Sequence, residues 1–122
     1  MKRAWVAVVD DDESVRESLP DLMRELGFAA RAFASATDFL ASDALEQTEC
    51  LILDVAMPGM SGPELQCELA LQGRKIPIIF ITAQGDDKIR STVLERGAVA
   101  YLLKPFTELE LRSALAAAPR AS

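Results

Sequence analysis

The sequence contains no histidine and has only two cysteines among its 122 residues. The absence of histidine excludes a histidine-based catalytic triad, and two cysteines without metal-type spacing exclude a zinc site. Cys50 begins an apolar run and Cys67 lies within a helical pattern. Both are therefore predicted to be buried or half-buried hydrophobic residues in a reducing compartment.

Positive charge is also scarce, because 13 Lys and Arg residues stand against 19 Asp and Glu residues, for a net charge of -6. Nucleic acids and anionic membranes require clustered basic residues, so we expect this domain itself to bind neither. No apolar run approaches the length of a membrane span, and the run after Met1-Lys2-Arg3 is too short for a signal peptide. We therefore expect a cytoplasmic protein.

Apolar residues make up half of the chain, a composition typical of a compact globular domain. We predict one domain over residues 1–118, with residues 119–122 as a C-terminal tail or the start of a linker. Five apolar runs alternate with helical patterns, which predicts an α/β fold in which a doubly wound parallel sheet lies between two helical layers. The predicted strands cover residues 4–9, 28–33, 50–53, 76–81 and 100–103.

Helix boundaries are indicated by capping residues. Residues 14–17 and 107–110 have the form of capping boxes, and Pro63 is predicted at a first helical position. The second helix is predicted over residues 36–45. Pro20 falls inside the first helix, where it removes a hydrogen bond and is expected to kink the helix.

Four of the predicted strands end in polar residues, which mark one edge of the sheet. In open parallel sheets the ligand site lies outside the carboxyl ends of the strands, where the winding direction reverses. The sequence therefore predicts a functional site at this edge. Its residues are Asp10 and Asp11 after the first strand, Asp54 at the third, Thr82 at the fourth and Lys104 at the fifth.

Three carboxylates brought together repel one another, and either a shared proton or a cation must relieve that repulsion. With oxygen as the only available ligand atom, Mg²⁺ is the cation that fits best. Lys104 and Thr82 suit the oxygens of a phosphoryl group, and a carboxylate can itself become phosphorylated. Asp54 is the best nucleophile candidate because it stands alone, although a single Asp at a strand end is often a turn former. Asp12 is better interpreted as a cap of the first helix.

The combined motifs closely resemble the receiver domain of two-component response regulators, over residues from about 4 to 117. The residues around Asp54 and the Lys104-Pro105-Phe106 motif are most similar to those of FixJ-type receivers, which usually precede a helix-turn-helix DNA-binding domain. The resemblance implies a CheY-like, flavodoxin-like sheet with strand order 2-1-3-4-5. It rests on Val8-Val9-Asp10-Asp11, on Asp54 with Met57-Pro58-Gly59-Met60-Ser61-Gly62, on Thr82-Ala83 and on residues 101–106.

The resemblance also implies roles for the site residues. Asp54 would accept a phosphoryl group from a sensor histidine kinase, and Asp11, Asp54 and the Ala56 carbonyl would bind Mg²⁺. Asp10 would assist through water. Ala56 offers no side chain that could steer or block an attacking water.

A switch is implied as well. Thr82 and Lys104 would contact the phosphoryl group, and the Lys104-Pro105 peptide bond is expected to be cis. Phosphorylation would draw Thr82 inward and let Tyr101 turn in, which changes the surface of the fourth helix, last strand and last helix. Homodimerisation through that surface is expected on phosphorylation. The chain would thus be a switch that acts on no external substrate.

Two other classes of protein fit the sequence less well. A Mg²⁺-dependent phosphatase of the haloacid dehalogenase kind uses two aspartates spaced like Asp10 and Asp12, but it leaves Asp54 without a role. A flavodoxin-like FMN carrier needs a loop that cradles phosphate, whereas residues 10–13 are all acidic and repel it. A receiver that only binds partners is disfavoured because every matched site residue is present.

Overall fold

The computed structural model describes residues 3–119 and contains one five-stranded parallel sheet. Its strand order is β2-β1-β3-β4-β5, with every neighbouring pair parallel. The predicted α/β class and the strand order implied by the resemblance are confirmed. The strands are β1 Trp5–Val9, β2 Ala29–Phe33, β3 Cys50–Asp54, β4 Ile78–Thr82 and β5 Ala100–Leu103.

Five α-helices connect or follow these strands: α1 Glu13–Glu25, α2 Ala36–Leu40, α3 Gly62–Leu71, α4 Asp87–Glu95 and α5 Glu108–Ala117. The predicted second helix was too long, because α2 ends at Leu40 and a separate 3₁₀ helix covers Asp43–Glu46. Ser42 separates them by donating a hydrogen bond from its Oγ to the Phe39 carbonyl, a local bond that competes with helical pairing. Within residues 3–119, each helix is too short or too polar to cross a membrane.

The two helical layers cover opposite faces of the sheet. Leu53 packs in a core with residues of α2, α3 and α4, whereas its neighbour Ile52 packs in a second core with residues of α1 and α5. All five residues of β3 are buried. Burial on both faces explains why the central strands are continuous apolar runs without alternation.

The first turns of α1 and α5 are capped by side chains. The predicted capping box at residues 14–17 was wrong: Asp12 is the N-cap of α1, and its carboxylate accepts hydrogen bonds from the Ser14 amide and hydroxyl at 2.9 and 2.7 Å. A carboxylate at this position also interacts favourably with the helix dipole. The capping box of α5 is confirmed by reciprocal bonds between Thr107 and Glu110.

Helix α3 begins at Gly62, one residue before the predicted start at Pro63, with Ser61 as its N-cap. A Cβ atom at Gly62 would overlap the backbone carbonyl of Asp54 and crowd the ring of Phe80. Glycine is therefore required where the start of α3 crosses the end of β3, and this close approach fixes the loop beside Asp54.

Helix α1 continues through Pro20 without a break, and the kink expected at this proline stays a prediction. Pro20 is buried, as are Leu19 and Met23 of the same helix, and burial of its apolar ring offsets the missing backbone hydrogen bond. At the other end of the chain, Ala118 caps α5. The predicted domain boundary at 118 stays a prediction, since residues 120–122 lie outside the described part of the chain.

Candidate functional site

The carboxyl edge of the sheet brings together the polar residues that end four strands. Asp10 follows β1, Asp54 ends β3 and Thr82 ends β4, and these three residues are 0%, 5% and 3% exposed. Lys104 follows β5, and its Nζ lies 2.7 Å from Asp10 Oδ2 and 3.9 Å from Asp54 Oδ1. A single cation therefore contacts two buried carboxylates.

Every polar group of Asp10 has a neighbour. Its amide donates to the Phe33 carbonyl at 3.1 Å, and its Oδ1 accepts from the Asp12 amide at 2.9 Å. Its Oδ2 forms the short ion pair with Lys104, although the angles fall outside those of a hydrogen bond. Asp10 is thus held rigidly, because leaving any of these buried groups unpaired is unfavourable.

Carboxylate oxygens of Asp10, Asp11 and Asp54 lie within 4.8 Å of one another. The pKa of Asp54 is raised to about 7, first by burial and then by the negative charge of Asp10, while Lys104 acts to lower it. One lysine does not balance this density of negative charge. The cluster offers only hard oxygen ligands and accumulates negative charge, and both properties fit Mg²⁺. Ala56, the remaining predicted ligand, lies two residues after Asp54 and is exposed.

The Thr82 hydroxyl is paired with the loop that follows β4. It donates to the Gln84 carbonyl at 3.0 Å and accepts from the Gln84 amide at 3.2 Å. The hydroxyl has a single proton, so to donate a hydrogen bond to a group bound at Asp54 it would have to give up its bond to the Gln84 carbonyl.

Tyr101 lies on β5 and is half-buried against the core that contains α4. Its hydroxyl accepts a hydrogen bond at 3.2 Å from the amide of Asp86, the N-cap residue of α4. The aromatic side chain thus links β5 to the start of α4. Further along the chain, the Lys104-Pro105 peptide bond is cis.

Sequence reasoning missed Arg16, whose Nη1 donates a hydrogen bond to the Asp10 carbonyl at 3.1 Å. The available signal was its position one helical turn after Asp12, on a helix that begins at the carboxyl edge. The interpretation of Asp12 as a cap is confirmed. Because its carboxylate is occupied by Ser14, the paired use of Asp10 and Asp12 that a haloacid dehalogenase phosphatase requires finds no support in this geometry.

Known proteins match this chain over nearly all of its length. Nodulation protein W of Bradyrhizobium diazoefficiens is 47% identical over 116 residues, which cover 95% of this chain and 51% of that protein. The transcriptional regulatory protein FixJ of Azorhizobium caulinodans is 39% identical over 117 residues, which cover 96% of this chain and 54% of that protein. The chain therefore spans about half the length of the curated relatives it matches.

A solved structure of FixJ-N superposes with a TM-score of 0.84 at 36% identity, covering 97% of this chain and 94% of that one. The family model described as the response regulator receiver domain matches residues 6–116. That match includes the whole acidic edge of the sheet. The chain therefore belongs to the response regulator receiver family, whose members are switches in phosphorylation signalling.

Proposed function

We propose that Asp54 accepts a phosphoryl group from a sensor histidine kinase in a Mg²⁺-dependent reaction. The observation that carries this proposal is the position of Asp54, which ends the central strand with Lys104, Asp10 and Thr82 around it. A carboxylate oxygen of Asp54 attacks phosphorus, the bond between phosphorus and the donor breaks, and an acyl phosphate forms.

The three aspartates differ in their availability for this attack. Asp10 uses Oδ1 for the Asp12 amide and Oδ2 for Lys104. Asp11 is exposed and precedes the cap of α1. The Asp54 carboxylate accepts no hydrogen bond from a backbone amide, a hydroxyl or a cation of residues 3–119, and Lys104 Nζ stays 3.9 Å away. Its oxygens are therefore the ones free to form a new bond.

The other residues complete the chemistry. Asp11, Asp54 and the Ala56 carbonyl would hold Mg²⁺, with Asp10 assisting through water, and the bound ion would offset negative charge on the carboxylates and the incoming phosphate. Lys104 places a fixed positive charge beside Asp54, where the charge of a transferred phosphoryl group is added. Thr82 offers a hydroxyl at the same edge once it leaves Gln84.

The signal is proposed to leave the site through Thr82 and Tyr101. When the hydroxyl of Thr82 turns toward a phosphoryl group, it vacates space into which Tyr101 can turn. When Tyr101 turns in, its hydroxyl no longer accepts the hydrogen bond from the Asp86 amide at the start of α4. The surface formed by α4, β5 and α5 therefore changes in response to charge added at Asp54.

The longer relatives suggest the context of this switch. Because they are about twice the length of the matched region, we propose that the domain controls an output domain, in keeping with FixJ being a transcriptional regulatory protein. The domain itself would bind neither DNA nor a membrane, act in the cytoplasm and form a homodimer on phosphorylation. Sedimentation with and without a phosphoryl mimic tests the dimer.

The decisive experiment is the intact mass of the protein after incubation with acetyl phosphate, with and without Mg²⁺. We expect one phosphoryl adduct that requires Mg²⁺ and is absent from Asp54→Ala. A matched control is Asp38→Ala, which removes an exposed carboxylate from the first turn of α2 and should leave the adduct unchanged. Circular dichroism checks that both variants remain folded.

Three results would contradict the proposal. Retention of the adduct in Asp54→Ala would reassign the acceptor, and an adduct of equal yield in the presence of a strong chelator would remove the metal requirement. If hydrolysis is too fast to leave an adduct, binding of a stable beryllofluoride mimic replaces the mass measurement. Failure of the mimic to bind would count against the switch.

A further inference from the structure

We infer that Arg16 is a positioning residue for the acidic site, which holds the Asp10-Asp11 backbone in the geometry that binds the metal. This inference rests on the proposed Mg²⁺ site. Arg16 lies in the second turn of α1 and is half-buried, and its guanidinium reaches back to the carbonyl of Asp10 at 3.1 Å. Its side chain ties α1 to the end of β1.

The carbonyl of Asp10 is the backbone group that joins the buried aspartate to the exposed one. The Asp10 amide and both of its carboxylate oxygens are already occupied by Phe33, Asp12 and Lys104. The bond from Arg16 therefore fixes the remaining polar group, and with it the plane of the peptide that leads into Asp11. The direction in which Asp11 presents its carboxylate depends on that plane.

Positioning and electrostatics predict opposite results when Arg16 is removed. If the guanidinium acted only through its charge, removing it would make the site more negative and Mg²⁺ would bind more tightly. If it acts by holding the Asp10-Asp11 peptide, removing it would loosen a ligand and Mg²⁺ would bind less tightly. Partners that orient metal ligands typically contribute 10- to 100-fold in affinity. The sign of the change therefore identifies the mechanism.

Helix α1 supplies a matched control at its other end. Arg24 also donates from its guanidinium to a backbone carbonyl six residues away, that of Ala30, at 3.0 Å. Arg24 lies eight residues further along α1 than Arg16, which is about 12 Å along the helix axis. Replacing either arginine by leucine removes one positive charge and one bond from α1 to a backbone carbonyl; Arg24→Leu also removes an exposed ion pair with Asp21 at 3.0 Å. Only the Arg16 change touches the acidic site.

The test is Mg²⁺ binding to the full unphosphorylated chain, measured by titration calorimetry at constant ionic strength. We expect Arg16→Leu to weaken Mg²⁺ binding about 10-fold, in the range found for residues that orient metal ligands. Arg24→Leu should stay within about twofold of the wild type, because its bond lies at the far end of α1. Arg16→Lys keeps the charge and one donor and should recover most of the affinity.

The outcomes separate this inference from the function on which it rests. A wild-type chain that takes up no Mg²⁺ would contradict the proposed metal site, and the inference with it. A wild-type chain that binds Mg²⁺ while Arg16→Leu binds it equally or more tightly would overturn the inference alone. If Arg16→Leu does not fold, Arg16→Gln replaces it, since its shorter side chain does not span the distance to the carbonyl and the same loss is expected.

Discussion

The two edges of the sheet are built in different ways. At the carboxyl edge, buried Asp10, Asp54 and Thr82 accompany the half-buried Lys104. At the amino edge the strands begin with apolar residues. Backbone hydrogen bonds link the segments that lead into the strands, for example the bond from the Glu49 amide to the Trp5 carbonyl. Buried polar groups depend on one another far more than apolar contacts do. A substitution at the carboxyl edge should therefore affect its neighbours, whereas a polar substitution at the amino edge should remain local.

The largest effect is expected from Lys104→Met, which leaves the buried Asp10 carboxylate without its cation. Breaking a buried ion pair in this way should lower the free energy of unfolding by about 3 kcal/mol. Denaturant titration, followed by the fluorescence of the single tryptophan in β1, measures the loss. Adding Asp10→Asn to this variant should recover at least half of it, because the orphaned charge is gone. An undiminished loss in the double variant would show that packing of the lysine matters more than its charge.

In the absence of Mg²⁺, Asp54→Asn is expected to raise the free energy of unfolding at high pH, by less than Lys104→Met lowers it. The folded-state pKa of Asp54 is about 7 and its ordinary value is 3.8, so the folded state binds the proton more tightly than the unfolded state. The stability of the wild type therefore falls as pH rises from about 4 to 7 and then levels off.

At pH 8 the variant avoids the buried charge and should be more stable by about 2 kcal/mol, with the gain vanishing near pH 4. Paired thermal melts across this range test the prediction. A gain that is the same at pH 4 and pH 8 would attribute the difference to packing and not to ionisation. Adding Mg²⁺ should stabilise the wild type more than Asp54→Asn, which reduces the difference.

Tyr101→Phe tests the border of the carboxyl edge, where the polar contacts approach solvent. The variant keeps the ring and removes the oxygen that accepts a hydrogen bond from the Asp86 amide. The free energy of unfolding should therefore fall by about 1 kcal/mol. Amide hydrogen exchange at Asp86 should become faster, while phosphorylation of Asp54 should continue. Unchanged exchange at Asp86 would mean that this bond contributes little to the start of α4.

The smallest effect is expected at the amino edge, from Glu49→Gln. Glu49 Oε2 accepts a hydrogen bond from the Trp5 amide at 2.9 Å in an exposed position, and a glutamine side chain retains an acceptor oxygen there. The stability change should be below about 0.5 kcal/mol, and phosphate uptake should match the wild type. A change of several kcal/mol, or any loss of phosphate uptake, would show that the two edges do not differ as described.

The order of strands and helices and the clustering of Asp10, Asp54, Thr82 and Lys104 at one edge were predictable from sequence. Continuous apolar runs indicate strands covered on both faces, and parallel strands necessarily place their carboxyl ends together. Element boundaries were less predictable. The start of α1 depended on whether Asp12 or Ser14 is the N-cap, which accepts a hydrogen bond from a backbone amide of the first turn. Asp and Ser side chains form such bonds with similar strength, so the sequence alone does not choose between them.

Local sequence patterns were therefore enough to predict the order of strands and helices and the chemical character of one sheet edge, because periodicity and strand endings are local properties. Tertiary structure decided which groups touch. Only the packing of α1 against the end of β1 brings Arg16 to the Asp10 carbonyl. Only burial beside Asp10 raises the pKa of Asp54 to about 7. Contacts and local dielectric depend on residues far apart in the chain, and no local pattern encodes them.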